Sequence, residues 1–482
     1  SCALRGLLSE TPPASDTAAQ ERHYKVLLAA LDLFQITTAS NHQTTAQLGH
    51  AGMILAMLEL MQKTDLRSLP AVSAMLRCLE LAAEVSGTTA IVLFREFHGL
   101  QAFSTRLRQE VDLLLDLDFQ GDIYNAEPPP EDAGVQHWRL SEEVTARRRL
   151  CRQLLKNIQV ALQCQEVVQA GFANVFQGPL MEVLKKALEE PKKVGLCLFG
   201  TAVDIVSNLI QDDPSRVPQM IETGVLPGII GALTKETMMS AECLSFVPGV
   251  LGSISLHAAG EDFILKSPAR PIELLTNILI DPAFASLLHS QPEVTQIMST
   301  HVDKILRNRP SGSTKLTEHV VDCILEAMRT VQKQAAAYPA WNPVDLKDKT
   351  EFLADRLATF GRFCWSVLGT NEQTLKMFLE KQGLSLIRSL HELPCLPYHL
   401  SSLEGQQHPL GSLFNLQAAG PEGSAAVVGV LKEMLISHHG SVVSFAKEHL
   451  AGSGNPYDAL SALPATAVCK FLQALSGVTA VL

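Results

Sequence analysis

Aromatic residues are scarce in this chain, 5% of 482 residues, and charged residues are held to 18%. Few aromatics beside abundant Leu and Ala argue against a sandwich or barrel, whose strands favour Val, Thr and aromatic side chains. Basic charge is in deficit: 39 Lys and Arg against 50 Asp and Glu leave a net charge of −11. No broad basic face is then available to neutralise phosphates, and direct nucleic-acid binding is not expected. No CxxC pair exists among the ten cysteines, which excludes a zinc ribbon by spacing. Cys2, Cys78, Cys151, Cys164, Cys197, Cys243, Cys323, Cys364, Cys395 and Cys469 are scattered, mostly through apolar helical patterns. They read as reduced core thiols, hence as a cytoplasmic or nuclear protein. The uncharged run of 18 residues between Glu242 and Glu261 approaches the length of a membrane span. Pro248, Gly249, Gly252, three serines and His257 interrupt it, so two buried helical pieces are expected and no membrane partner. The N-terminus lacks an initiator Met and its apolar stretch is too short for a signal peptide, which suggests a fragment.

What is present is apolar and helical. Hydrophobic residues make up 46% of the chain, and compact cores stop growing at roughly 250 to 300 residues, so several domains or a repeat array are expected. The clearest unit is MIETGVLPGIIGAL, Met220 to Leu233. Gly224 suits a left-handed corner, Pro227 the first turn of the next helix, and Leu226, Ile229, Ile230 and Leu233 form one buried stripe. Similar corners stand at Gly99, Gly178 and Gly383, without a strict period. The pattern predicts an all-α, armadillo/HEAT-like helical solenoid with irregular repeats of about 40 to 47 residues. Further breaks are expected at Pro70, Gly87, Pro191, Pro214, Pro248, Gly260 and Pro268. N-terminal helical repeats fill 1–118, and an acidic, proline-rich linker follows at 119–140. A central helical region occupies 141–331, with Ser141 as its N-cap, then a linker at 332–348 and C-terminal repeats at 349–482.

Candidate chemistry is sparse. Gly224, Gly228 and Gly231 do not satisfy GxGxxG and no strand precedes them, so no dinucleotide cofactor is expected. Ser311 to Lys315 lacks the first glycine and the GK pair of a phosphate loop. His438, His439 and His449 read as surface or cap residues, not as metal ligands. Cys469 lies in an apolar helical run, as core rather than nucleophile. Met53, Met57 and Met61 fit core filling better than a methionine-lined groove. Arg147, Arg148, Arg149 and Arg152 form a basic cluster best read as a solvated face, with Glu143 pairing Arg147. The expected catalytic, cofactor-binding and metal residues are therefore none.

The run AVDIVSNLIQDDPSRVPQMIETGVLPGIIGAL, continued through LSFVPGVLGSISLHAAGEDFI and PIELLTNILI, resembles the N-terminal armadillo-like region of giant HECT-type E3 ubiquitin ligases, those with HECT, UBA and WWE domains. Gly224, Pro248, Leu256, Gly260 and Phe263 match the order of that region's corners and helices. Arg106, Leu107, Glu110, Val111 and Asp112 match its Arg-Leu-x-x-Glu-Val-Asp helix, and Met377 to Pro397 resembles a later Gly-Leu helix. The resemblance covers Gly99 to Pro397 in patches. It implies a non-catalytic scaffold and substrate-recruitment region of a large ligase. Ubiquitin-charged E2 would act only through a HECT domain outside the chain, and protein substrates would lie on the solenoid surface. Without the ubiquitin connection, the same solenoid would be a free-standing armadillo/HEAT-type protein interaction adaptor.

Overall fold

The computed structural model describes residues 2–9, 16–40, 52–117, 135–164, 178–307, 314–338, 350–368, 372–391, 393, 395, 420–450, 462–463 and 468. Among the described residues every regular element is a helix. The chain divides into two compact units, Ser1–Val247 and Pro248–Leu482, a boundary inside the 141–331 segment.

In the first unit α1 (Cys2–Ser9), α2 (Thr17–Ser40), α3 (Met53–Leu60), α4 (Leu69–Val85) and α5 (Gly87–Ile91) precede a π-helical turn, Val92–Glu96. Then come α6 (Gly99–Asp116), α7 (Val135–Gln163), α8 (Pro179–Glu189), α9 (Pro191–Val194) and α10 (Leu196–Asp212). The helices α11 (Val217–Glu222), α12 (Val225–Gly231) and α13 (Lys235–Met238) lead to α14 (Ala241–Ile254). These helices stack in two rows: α2 lies on α4, α4 on α7 and α7 on α10, while α6 lies on α8 and α8 on α12. Clasped between α2 and α7, α4 buries more than a stripe. Leu69, Val72, Met75, Leu76, Leu79 and Ala82 are all essentially inaccessible, and each large side chain so buried contributes about 1.5–3 kcal/mol. Met53, Met57 and Met61 are equally buried, as core filling requires.

The second unit holds α15 (Ala258–Lys266), α16 (Pro271–Ile278), a 3-10 turn (Pro282–Phe284), α17 (Ala285–Ser290), α18 (Pro292–Arg307) and α19 (Lys315–Ala335). It continues with α20 (Thr350–Leu368), α21 (Glu372–Glu380), α22 (Gly383–His391) and α23 (Gly420–Phe445). Here α16 lies on α19 and α19 on α22, while α18 lies on α20 and α20 on α21. Layers that cover only their neighbours are the mark of an armadillo/HEAT-like helical solenoid, so the expected class holds. Among the described residues no single helix is long and apolar enough to cross a membrane; α16 and the stretch Pro282–Ser290 pass together only as a pair bent by 65°. The uncharged run after Glu242 supplies α14 and the start of α15, whose Leu244, Val247, Val250, Leu251 and Ile254 are buried.

The corners differ from the sequence reading in register. Gly224 is left-handed, φ 85°, as expected. At Gly99 and Gly383 the left-handed residue is the one before the glycine, His98 at φ 52° and Gln382 at φ 61°. Glycine is needed there for close approach: a Cβ on Gly99 would lie 2.7 Å from the Leu93 carbonyl oxygen, and one on Gly383 would lie 2.3 Å from the Phe378 ring. Gly178 is not left-handed at all, with φ −108°. Pro70 opens α4 instead of breaking it, because the first turn has no use for its missing N–H. Pro248 lies inside α14, where burial of the turns on either side outweighs the roughly 3 kcal/mol of an interior proline. Gly260 is the third residue of α15, not a break. Ser141 is not an N-cap either, since α7 begins at Val135.

Replacing Gly224 with Val should cost about 1–2 kcal/mol, the strain of a branched side chain held left-handed. The Cβ would meet only the flexible end of Lys185, at 3.0 Å, so strain and not collision sets the cost. Urea unfolding with an unchanged midpoint would mean that the corner adopts negative φ in solution.

Candidate functional site

Where α6 meets α7, apolar stripes enclose three charged side chains, Arg106, Glu110 and Arg147, with half-buried Glu143 at their edge. Glu110 is fully buried, and its two carboxylate oxygens serve different arginines. Arg106, one turn earlier on α6, donates from Nε to Oε1 at 2.9 Å. Arg147, on α7, donates from Nη1 to Oε2 at 2.6 Å. Arg147 also donates from Nε to Glu143, one turn earlier on α7, at 2.8 Å. Burial works against the Arg147 charge, but its bonds and charge contacts with Glu110 and Glu143 outweigh it and hold its pKa above the usual value. Arg106 reaches a third element, donating from Nη1 to the carbonyl of Met61 at the end of α3. The network thus ties α3, α6 and α7 through charge-assisted bonds.

The neighbouring arginines divide the basic cluster among separate tasks. Arg148 is buried and donates to the carbonyls of Lys192, at 2.9 Å, and Lys193, at 2.7 Å, satisfying the otherwise orphaned end of α9. Its side chain lies against Gly195, held at φ 94°, where a Cβ would come within 3.2 Å of it. Arg152 is exposed and pairs with Glu242 at 3.3 Å. Only Arg149 and Arg152 face solvent, so the solvated-face reading fails for Arg147 and Arg148. Both point inward because Glu110 and the α9 carbonyls wait there.

Beside this network lies an open cleft of about 290 Å³ between the end of α3 and the outer face of α6. Gln62, Phe97, His98, Gln101, Thr105 and Gln109 line it above Arg106. The π-helical turn and the left-handed His98 form one end. Local backbone irregularities of these two kinds concentrate at functional sites.

The second unit has a buried polar pair of contacts of its own. Glu261, next to Gly260, accepts from the backbone N–H of Leu316 at the start of α19, at 3.3 Å. Arg356 of α20 is buried and donates to the Ile280 carbonyl at 2.8 Å.

The remaining candidates sit apart. Burial pushes the thiols of Cys78, Cys243 and Cys323 up to about 12, and those of Cys151 and Cys364 also upward. Such groups stay protonated and are poor nucleophiles. Cys469 lies outside the described residues, as do Ser311, Gly312 and Ser313; Thr314 and Lys315 stand at the start of α19. A Cβ on Gly228 would lie 3.5 Å from the Glu189 side chain of α8, whereas one on Gly231 would meet only open space. His438 and His439 are adjacent on α23. His449 packs against Phe445 with the rings tilted by 55° and their centroids 4.7 Å apart, and lies 3.9 Å from Glu448. Among the described residues no group of three or more His, Cys, Asp or Glu is placed to hold a metal.

Comparison with known proteins bears out the ligase resemblance. E3 ubiquitin-protein ligase UPL2 of Arabidopsis thaliana is 25% identical over 466 residues, covering 89% of this chain and 12% of that protein. E3 ubiquitin-protein ligase TOM1 of Saccharomyces cerevisiae is 25% identical over 290 residues, covering 59% of the chain and 8% of that protein. E3 ubiquitin-protein ligase HUWE1 of Mus musculus is 23% identical over 244 residues, 48% of the chain and 6% of that protein. The chain therefore spans 12% or less of the length of these relatives. Among solved structures, a crystal structure of an engineered protein overlaps 63% of the chain and 97% of its own, with 15% identity and a TM-score of only 0.39. A family described as Domain of Unknown Function matches residues 75–347, which hold the Glu110 network, the Gly224 corner and Glu261. With more than half of its length so matched, the chain belongs to the DUF913 family.

Proposed function

We propose that this chain is a non-catalytic scaffold and substrate-recruitment region of a large HECT-type E3 ubiquitin ligase. The observation that carries the reading is coverage: a match extends over 89% of the chain yet occupies 12% of a ubiquitin-protein ligase. A segment of that share, built as helical layers, suits holding a protein more than performing transfer. Recognition of protein substrates would fall to exposed helix faces, and ubiquitin-charged E2 would engage a HECT domain elsewhere. A cytoplasmic or nuclear location belongs to the same proposal, as do three helical segments, 1–118, 141–331 and 349–482, separated by linkers at 119–140 and 332–348.

The test joins this segment to a HECT domain in one polypeptide and compares it with the same polypeptide lacking residues 1–482. Ubiquitin loading onto the HECT cysteine should be equal in both, while ubiquitin transfer to a bound protein should fall when the segment is removed. Loss of loading would make the segment part of the transfer machinery, and unchanged transfer would reduce it to a free-standing adaptor; either overturns the proposal.

A further inference from the structure

We infer that the cleft beside α6 binds a partner protein as an extended peptide, held chiefly by its backbone. The inference rests on the reading that this segment recruits proteins, and it adds the place and the conformation of what is bound.

Gln101, Thr105 and Gln109 stand four residues apart on α6, and all three are exposed and line the cleft. Rungs four residues apart on a helix are separated by about 6 Å. An extended peptide repeats every second residue, at about 6.4–6.8 Å. Over three rungs the two spacings drift by about 1–2 Å, within the reach of flexible glutamine side chains. A carboxamide offers both a donor and an acceptor, the complement of a peptide N–H and C=O presented on one edge. Among the described residues the carboxamides of Gln62, Gln101 and Gln109 make no hydrogen bond within the protein. Thr105 donates its hydroxyl to the Gln101 carbonyl at 2.8 Å, which leaves its oxygen lone pairs facing outward as acceptors.

The walls of the cleft are fixed before anything binds. Arg106 fastens the end of α3 to α6 through the Met61 carbonyl, so Gln62 is held opposite the α6 rungs. Little ordering of the site then remains to be done on association. The charge of Arg106 is already matched by Glu110, with Nη2 2.7 Å from Oε1. Apart from Arg106, whose charge Glu110 already meets, the lining holds no Asp, Glu, Lys or Arg, so an acidic or basic ligand gains nothing special there. Half-buried Phe97, at the end beside His98, offers an apolar surface to one side chain of the peptide.

A phage-displayed library of linear dodecapeptides, selected on the full 482-residue chain, provides the probe. A selected peptide, labelled with fluorescein, would be titrated by anisotropy. The double change Gln101→Ala with Gln109→Ala should weaken binding about tenfold, the loss of a few neutral hydrogen bonds. N-methylation at alternate residues of the peptide should weaken it at least as much, whereas Gln219→Ala, exposed on α11, should leave it unchanged. Gln101 and Gln109 are exposed, so the double variant keeps its fold, which far-UV circular dichroism would check. Failure to enrich any peptide on the wild-type chain over the double variant would overturn the inference. Peptides insensitive to the glutamines would also overturn it while leaving recruitment elsewhere on the solenoid intact, and peptides insensitive to N-methylation would exclude backbone recognition.

Discussion

Glu110→Ala is expected to destabilise the first unit by about 3–5 kcal/mol, the cost of leaving buried charge without its partner. Glu110 is 0% exposed and accepts from Arg106 and Arg147 on separate oxygens. Its removal strands the charge of Arg106, which is 3% exposed, and leaves Arg147 with Glu143 alone. Glu110→Gln keeps the volume and should still lose most of that stability, since a carboxamide can accept on only one side. The triple change Arg106→Met, Glu110→Leu and Arg147→Met should recover much of it, because a well-packed apolar substitute avoids the desolvation of three ions. Hydrogen exchange in α6 and α7 during urea titration would localise the effect. A Glu110→Ala chain within about 0.5 kcal/mol of wild type, the range of an ordinary surface change, would show that water reaches the site. The exposed pairs of α6 with α8, Arg108 with Glu182 and Lys186 with Asp112, should each be worth well under 1 kcal/mol by comparison.

The contrast between these pairs explains what the sequence could disclose. Helix identity was legible because stripes such as Leu226, Ile229, Ile230 and Leu233 report one buried face directly, and all four are buried. The charged network was half legible. Arg106 and Glu110 stand four apart beside the stripe Phe103, Leu107, Val111 and Leu114, a placement that a solvated helix face would not use. Their partner Arg147 was hidden, because a residue 37 positions away meets Glu110 only once the rows have stacked. Composition alone sees four arginines in a short stretch and cannot tell a buried cap from a solvated charge. Corner register escaped for a different reason. Glycine satisfies two distinct needs, positive φ at Gly224 and the lack of a Cβ at Gly99 and Gly383, and one letter records both. The cleft glutamines gave no signal at all, since an exposed amide on a helix is ordinary until a second wall faces it.

Gly260→Val should be the most damaging single change in the second unit, at about 3 kcal/mol, the upper part of what overpacking a close-packed site costs. A Cβ at Gly260 would lie 2.0 Å from the carbonyl oxygen of Ile254 and 2.8 Å from its carbonyl carbon. These are backbone atoms, so no rotamer change relieves the overlap and α15 must move off the end of α14. Alanine already carries the offending atom and should cost nearly as much, with Val adding only the crowding of its branches. The tightness comes from the turn itself: His257 accepts from Ala259 N–H at 3.2 Å through Nδ1, and its carbonyl accepts from Gly260 N–H at 2.9 Å, folding α15 directly back onto Ile254. Displacing α15 also draws Glu261 away from Leu316, so the first turn of α19 should lose its cap and exchange faster although it lies 55 residues away. Gly231→Ala supplies the opposite sign, because a Cβ there meets nothing within 4 Å and α12 gains helix propensity of up to about 1 kcal/mol. Thermal unfolding of the three chains should therefore order them Gly231→Ala, wild type, Gly260→Val from most to least stable. If Gly260→Ala melts with wild type and the start of α19 keeps its protection, the close approach of Ile254 does not persist in solution.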